Sequence, residues 1–185
     1  MRYFTSDHHF GHANIIRYCD RPYASLDEMN AALIDGWNST ITNADEVYVL
    51  GDFALTPLAR IAEILACLNG HAKHLIMGNH DRHKAPHYLQ AGFTTACKGQ
   101  VAWSRHKLEG KSIPLYLQHH PHRPELCRQH EHWILCGHVH QHWTIRRDIK
   151  CLNVGVDVHG FKPISEERVI ELIENSHPMI IREAR

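Results

Sequence analysis

The sequence predicts a single-domain α/β protein, and three observations support this prediction. Short apolar runs alternate with amphipathic stretches along the 185 residues, a pattern typical of helices packed against sheets. No internal repeat, low-complexity tract or Pro/Gly-rich linker divides the chain, so one domain is expected over 1–185. Polar side chains follow the predicted strands, which is where α/β sheets bind ligands.

The predicted elements alternate in the first half of the chain, and strands prevail after Pro86. Strands are expected at 2–5, 47–50, 75–77, 93–97, 113–118, 133–136 and 152–156. Ser25 and Glu28 match the capping box of a first helix, and a second helix is expected over 58–68. Ser165 is expected to cap a last helix, and Gly110 indicates a hairpin turn.

The overall composition argues against several classes of protein. Lysine and arginine balance aspartate and glutamate, so binding of a polyanion through a general basic excess is not expected. No apolar segment is long enough for a signal peptide or a bilayer span. The six cysteines contain no C-x-x-C pair, so free thiols and a cytoplasmic location are expected.

Five predicted strands are each followed by residues that can bind a metal. The chain has 19 histidines, and imidazole is the commonest transition-metal ligand in proteins. Because parallel strands end at the same edge of a sheet, these residues are expected to converge. The residues concerned are Asp7 and His9, Gly51 and Asp52, Gly78 to Asp81, His119, and Gly137 to His140.

The residue types and their spacing indicate how such a site binds metal. Asp7 and His9 flank one residue and can reach the same ion, while the carboxylate of Asp52 can bridge two ions. His138 and His140 share one face of an extended backbone. A ligand set of carboxylate, imidazole and amide without cysteine suits Mn, Fe, Zn, Co or Ni. Two such ions roughly 3.5–4 Å apart would clamp a phosphoryl group and generate hydroxide from a bridging water.

His80 is the candidate acid catalyst of this site. It lies between Asn79, whose amide oxygen is a further metal ligand, and Asp81. A carboxylate bound to one ring nitrogen would orient the imidazole and raise its basicity, so that the other nitrogen can protonate a leaving oxygen. We therefore predict that Asp81 orients His80.

Five motifs, in order along the chain, resemble those of the calcineurin-like metallophosphoesterase superfamily. They are D-x-H (Asp7, His9), G-D (Gly51, Asp52), G-N-H-D (78–81), H-x-P (His119, Pro121) and G-H-x-H (137–140). The stretch 7–14 looks like that of small bacterial and phage members. The resemblance implies a four-layer α/β/β/α sandwich of two mixed sheets flanked by helices, with two divalent transition-metal ions.

By matching positions, the resemblance implies two metal sites that share one carboxylate. Asp7, His9, Asp52 and His140 would hold the first ion. Asp52, Asn79, His119 and His138 would hold the second ion. Mn²⁺ is the expected metal, with Fe, Zn, Ni or Co as alternatives. His80 matches the family's catalytic histidine, and Asp81 matches its partner.

Two points of the resemblance stay open. His119 and His120 are adjacent, and His119 is preferred because it lies two residues before a proline. There is no certain equivalent of the paired arginines by which Ser/Thr protein phosphatases grip a phosphomonoester. The candidate substrate contacts are His12, Arg17, Asn79 and Arg82.

The small number of candidate cations favours a singly charged substrate. The expected function is therefore a metal-dependent phosphodiesterase that hydrolyses a nucleotide-type diester, with nucleotide or nucleic acid as partner and no membrane. A phosphomonoesterase or phosphoprotein phosphatase is the alternative within the same fold. A metal-binding scaffold without turnover is the third hypothesis.

Overall fold

The computed structural model describes residues 1–108, 111–121 and 132–175. Its strands are Arg2–Thr5 (β1), Glu46–Val49 (β2), Ala72–Ile76 (β3), Thr95–Cys97 (β4), Val101–Leu108 (β5), Lys111–Leu117 (β6), Trp133–Cys136 (β7), Ile145–Arg146 (β8), Cys151–Asn153 (β9) and Ile164–Ser165 (β10). Its helices are Asn14–Tyr18 (α1), Leu26–Asn38 (α2), Leu58–Cys67 (α3), Ala85–Ala91 (α4) and Glu166–Asn175 (α5).

The strands form two five-stranded mixed sheets. The first has the order β10-β1-β2-β3-β4, in which β1 to β4 are parallel and β10 is antiparallel to β1. The second has the order β5-β6-β7-β9-β8, in which β6, β7 and β9 are parallel. The predicted fold class, a layered α/β sandwich built on two mixed sheets, is confirmed.

The carboxyl ends of the parallel strands of both sheets lie at one edge of the sandwich. Ser6 and Gly155, which follow β1 and β9, form an isolated parallel bridge that joins the two sheets there. The backbone N–H of Asp7 donates to the carbonyl of Gly51 at 3.1 Å, which ties the loop after β1 to the loop after β2. The fold therefore brings the loops of both sheets together.

Apolar side chains fill both faces of the first sheet. On the outer face, α2 and α3 bury an apolar stripe that includes Met29, Leu33, Trp37 and Ile61, all at most 1% exposed. Between the sheets, residues of β1, β6, β7 and β9 pack with α5. On the far face of the second sheet, the described residues contribute a small cluster of strand and loop side chains.

The two helix-cap predictions are confirmed, and one helix was not predicted. The hydroxyl of Ser25 accepts from the N–H of Glu28 at 3.2 Å, as the capping box predicts, and Ser165 caps α5 in the same way at 3.3 Å. The strand-rich pattern expected after Pro86 is observed in β4 to β10. The short helix α4 was not predicted; it accommodates Pro86 because a proline in the first turn of a helix removes no hydrogen bond. The turn predicted at Gly110 lies outside the described residues.

No helix in the described ranges is both long and apolar enough to cross a bilayer. Five of the six cysteines lie in those ranges, and all five are free thiols. Cys19, Cys136 and Cys151 are buried, whereas Cys67 is exposed.

Candidate metal centre

All seven predicted metal ligands lie in the segments that follow β1, β2, β3, β6 and β7, and His140 begins a short 3-10 helix there. Five of them have a left-handed backbone, with φ between 46° and 72°: Asp7, His9, Asp52, His138 and His140. Such a conformation costs on the order of 1–3 kcal/mol for a non-glycine residue and is concentrated at functional sites. The backbone strain of this protein is therefore concentrated where the ligands were predicted.

The first predicted ligand set is assembled in the structure. Ligand atoms of Asp7, His9 and His140 all lie within 4.8 Å of one another. The Nε2 atom of His9 is buried and has no hydrogen-bond partner, and it lies 3.5 Å from Oδ2 of Asp52. A buried polar atom without a partner is costly, and a bound cation would satisfy it.

The second predicted set is assembled beside the first. Oδ1 of Asn79 lies 3.0 Å from Nε2 of His119 and 3.0 Å from Nδ1 of His138. His119 is 3% exposed, and its Nδ1 binds the carbonyl of Leu50 at 2.8 Å. His120 is exposed and stacks on His138 with ring centroids 4.3 Å apart. The geometry thus favours His119 as the ligand nearest Asp52, as the motif indicated.

Asp52 lies between the two sets. Its Oδ2 atom is 3.5 Å from Nε2 of His9 and 3.4 Å from Nε2 of His119, so a single oxygen faces both predicted sites. Its Oδ1 atom accepts the backbone N–H of His80 at 2.8 Å. Burial alone would raise the pKa of this carboxyl, but its hydrogen bonds to His119 and His80 hold that pKa well below its usual range. Asp52 therefore stays ionised and available to two cations.

Burial also affects the pKa values of two other predicted ligands. Burial raises the pKa of Asp7 to about 6, although its carboxylate accepts the N–H of His138 at 3.0 Å. Burial disfavours the charged form of His140, yet its hydrogen bond to Asp157 outweighs this effect and raises its pKa to about 10. The donor set as a whole combines two carboxylates, four imidazoles and one amide, and it fits a pair of divalent transition-metal ions.

His80 lies beside the ligands, but its predicted partner lies elsewhere. The Asp81 carboxylate accepts the backbone N–H groups of Asp52 and Gly78, both at 2.8 Å, and of Phe53 at 3.1 Å. The Nδ1 atom of His80 is buried without a hydrogen-bond partner. The prediction that Asp81 orients His80 is wrong, because three backbone donors already occupy its oxygens. Asp81 instead fixes the loop that carries Asp52.

Two cavities border His80 and contain some of the predicted substrate contacts. One, of about 280 Å³, is lined by His12, Tyr18 and His80 together with predicted metal ligands. The other, of about 310 Å³, is lined by His80 and Arg82. Arg17 lines neither cavity, and its guanidinium lies 5.6 Å from the ring centroid of Tyr18. His12 and Arg82 thus lie at the site, whereas Arg17 packs over the ring of Tyr18.

The sequence interpretation missed four residues at this site. Arg21, Asn153 and Asp157 are buried or nearly buried polar residues that hold the ligand loops. The fourth is Cys19, whose sulfur lies within 4.8 Å of ligand atoms of His140 and Asp157. Cys19 directly follows α1, which brings this thiol to the cavity wall beside the predicted ligands.

Three comparisons with known proteins concern nearly the whole chain. It is 34% identical over 179 residues to uncharacterized protein MJ1445 from Methanocaldococcus jannaschii, covering 93% of this chain and 90% of that protein. It is 24% identical over 199 residues to the gene 66 protein of Mycobacterium phage L5, covering 95% of each.

The fold is also similar to that of a solved structure over nearly the whole chain. The crystal structure of AQ665, a protein of unknown function from Aquifex aeolicus, matches with a TM-score of 0.66 and 26% identity. The match covers 93% of this chain and 98% of that one. No family model matches the sequence.

Proposed function

The chain belongs to the same family as protein MJ1445 of Methanocaldococcus jannaschii, and we propose that it is a metal-dependent phosphoesterase of the calcineurin-like type. The observation that carries the proposal is the position of Asp52, whose Oδ2 atom lies 3.4–3.5 Å from ligand nitrogens of both predicted metal sites. A carboxylate in this position can be shared by a pair of neighbouring cations.

The residues divide into metal-holding and proton-transferring groups. Asp7, His9, Asp52 and His140 would hold one ion; Asp52, Asn79, His119 and His138 would hold the other. Such a pair of divalent ions, with Mn²⁺ expected, would polarise the phosphoryl group and lower the pKa of bound water. His80 is anchored by its backbone N–H on Asp52 at 2.8 Å, and its ring borders both cavities. These contacts support the proposal that His80 protonates a leaving oxygen.

The cavity lined by His12, Tyr18 and His80 supports a phosphodiester with a nucleoside group as the substrate. The rings of His80, His12 and Tyr18 follow one another, with centroids 5.8 and 6.2 Å apart. Tyr18 is 58% exposed, although it is a large aromatic residue at the edge of a polar site. A nucleobase attached to the departing group can stack on such a ring, and stacking tolerates any base.

A phosphomonoester is the second candidate, and the position of Arg82 favours it. The Arg82 side chain lines the cavity beside His80, where a fixed cation would suit the second negative charge of a monoester. It has no arginine beside it in that cavity, so the paired grip of the protein phosphatases is missing from the described lining.

The test is a comparison of two model substrates by the same Mn²⁺-loaded protein. We expect hydrolysis of bis(p-nitrophenyl) phosphate in preference to p-nitrophenyl phosphate, and we expect chelation to abolish it. The reverse preference would support the phosphomonoesterase. If the protein hydrolysed none of a broad panel of diesters and monoesters with Mn²⁺, Ni²⁺, Zn²⁺ or Mg²⁺, the phosphoesterase proposal would be rejected. The hypothesis of a metal-binding scaffold without turnover would then stand.

A further inference from the structure

A buried ion pair lies directly behind the first predicted metal site. The Arg21 side chain is 0% exposed and the Asp157 side chain 2%, and they are 136 residues apart in sequence. Nε of Arg21 donates to Oδ1 of Asp157 at 2.7 Å, and Nη2 donates to Oδ2 at 3.0 Å. This bidentate geometry makes the pair directional as well as charged.

Both partners reach further, to the loops that carry the ligands. Nη2 of Arg21 donates to the carbonyl of Asp7 at 2.7 Å, and Nη1 donates to the carbonyl of His8 at 2.9 Å. Oδ2 of Asp157 lies 2.8 Å from Nδ1 of His140. One guanidinium–carboxylate pair therefore connects the loop after β1 to the ring of a ligand in the loop after β7.

We propose that Asp157 and Arg21 are positioning residues for the first metal ion. Asp157 accepts the Nδ1–H of His140 and thereby turns Nε2 towards Asp7 and His9, while Arg21 fixes Asp157 and the Asp7 turn together. A carboxylate on the second ring nitrogen sets the tautomer and orientation of a metal-binding histidine. This inference rests on the proposed function only in requiring that the site bind metal.

Asp157 acts through His140 and is not itself a ligand. Its Oδ1 faces Nε of Arg21, and its Oδ2 is shared between Arg21 and His140, so both oxygens are engaged. A buried ion pair is weak evidence for stability, since apolar side chains of similar volume often do as well. Apolar side chains in the same place could not hydrogen-bond to the His140 ring and so could not orient it.

The second metal site has an independent orienting contact. Nδ1 of His119 binds the backbone carbonyl of Leu50 at 2.8 Å, far from the Arg21–Asp157 pair along the chain. A change at Asp157 should therefore weaken one site and leave the other intact. This asymmetry separates a positioning role from a general contribution to folding, which would affect both sites.

The experiment is a metal titration of the purified full chain and of Asp157→Asn, by competition with a chromophoric chelator and by elemental analysis. We expect the affinity of one of the two Mn²⁺ sites to fall by about 10- to 100-fold while the other is unchanged. At a Mn²⁺ concentration that fills both sites of the wild type, electron paramagnetic resonance should show isolated ions in the variant and a coupled pair in the wild type. Asp148→Asn is the matched control, because it removes an exposed carboxylate that also pairs with an arginine.

A second variant covers the possibility that Asp157→Asn does not fold. Arg21→Met/Asp157→Asn leaves no unpaired buried charge, and it should show the same selective loss, with circular dichroism verifying the fold. Cys19→Ser is expected to bind both ions. If it lost the same ion as Asp157→Asn, the Cys19–His140–Asp157 trio would itself be a metal site and the positioning role would be overturned.

The remaining outcomes are equally decisive. Wild-type protein that never binds a pair of ions overturns the proposed function. Wild-type protein that binds two ions, together with a folded Asp157→Asn variant that binds both as tightly, overturns the positioning role alone. Equal weakening of both sites in a folded variant also overturns it.

Discussion

Gly78→Ala tests whether the shared carboxylate depends on a space that only glycine leaves. A Cβ at Gly78 would lie 2.2 Å from Oδ1 of Asp52, 2.7 Å from the backbone nitrogen of Asp52 and 2.9 Å from Cε1 of His119. Ordinary contacts begin at 3.4 Å, so the methyl carbon and the carboxylate must separate by about 1.2 Å. Rotation of the Asp52 side chain would not relieve the 2.7 Å contact, because that contact is with the Asp52 backbone nitrogen.

The expected consequence follows from the size of that shift. Overpacking of this kind destabilises a protein by about 1–3 kcal/mol, and a misplacement of about 1 Å at a catalytic group can reduce turnover on the order of 100-fold. Because Oδ2 of Asp52 faces both predicted sites, we expect both metal affinities to fall.

Denaturant unfolding, metal titration and hydrolysis of bis(p-nitrophenyl) phosphate measure the three effects of Gly78→Ala. The control is Gly160→Ala, because a Cβ at Gly160 meets nothing within 4 Å but its φ of +61° imposes backbone strain. It should lose some stability and keep both ions. A Gly78→Ala protein with two ions bound at wild-type affinity and normal turnover would refute the assignment of Asp52 as the shared ligand.

Three further predictions concern catalysis, substrate and pH. His80→Ala should lose turnover by about 10²- to 10⁴-fold and keep both ions; full activity would reject His80 as the acid. Tyr18→Ala should raise KM for a nucleoside diester by about 5- to 100-fold, as loss of one base stack implies, whereas Tyr18→Phe should not; equal KM values in all three proteins would reject stacking. In metal-free protein the hydrogen bond to Asp157 outweighs burial and raises the pKa of His140 to about 10, so its contribution to thermal stability should be lost as pH rises from about 6.5 towards 10. Between about pH 4 and 6 stability should instead rise, because burial lowers the pKa values of His8, His9 and His138 to about 3, 2 and 4, and these three groups outweigh the raised pKa of Asp7 (about 6). Mn²⁺ binding at pH 8 should release protons, which calorimetry in buffers of different ionisation enthalpy detects; no release would contradict this.

The convergence of the predicted ligands was predictable because it depends on rules that act locally. Asp7, Asp52 and His119 each follow a short apolar strand, and parallel strands end at one edge, so the sequence alone places these side chains together. Fold class was predictable for the same reason. Helix α4 was not predictable in this way, because a proline in the first turn of a helix cannot be told from a proline in a loop between strands.

The supporting residues were not predictable, because their partners are distant in sequence. Arg21 precedes a proline and looks like a loop cation, yet it is buried against Asp157 from the other end of the chain. Asp81 shows the opposite error: its neighbour in sequence, His80, is not its partner in space. The side chains of consecutive residues in a tight loop point in different directions. The backbone N–H groups of Asp52 and Phe53, in the loop after β2, donate to the Asp81 carboxylate instead.

The strained loops that carry the predicted ligands are held by hydrogen bonds within the protein. The left-handed turn at Asp7 is fixed by Arg21, and the turn at Asp52 is fixed by Asp81. The turn at His140 is fixed by Asn153, whose side-chain amide donates to the His140 carbonyl at 2.8 Å. Each of these contacts joins two groups of the protein, so the fold itself contributes to ordering the loops. Arg21, Asp81 and Asn153 therefore stabilise the left-handed backbone at the predicted ligands. These hydrogen bonds explain why the fold tolerates so many left-handed residues at one site.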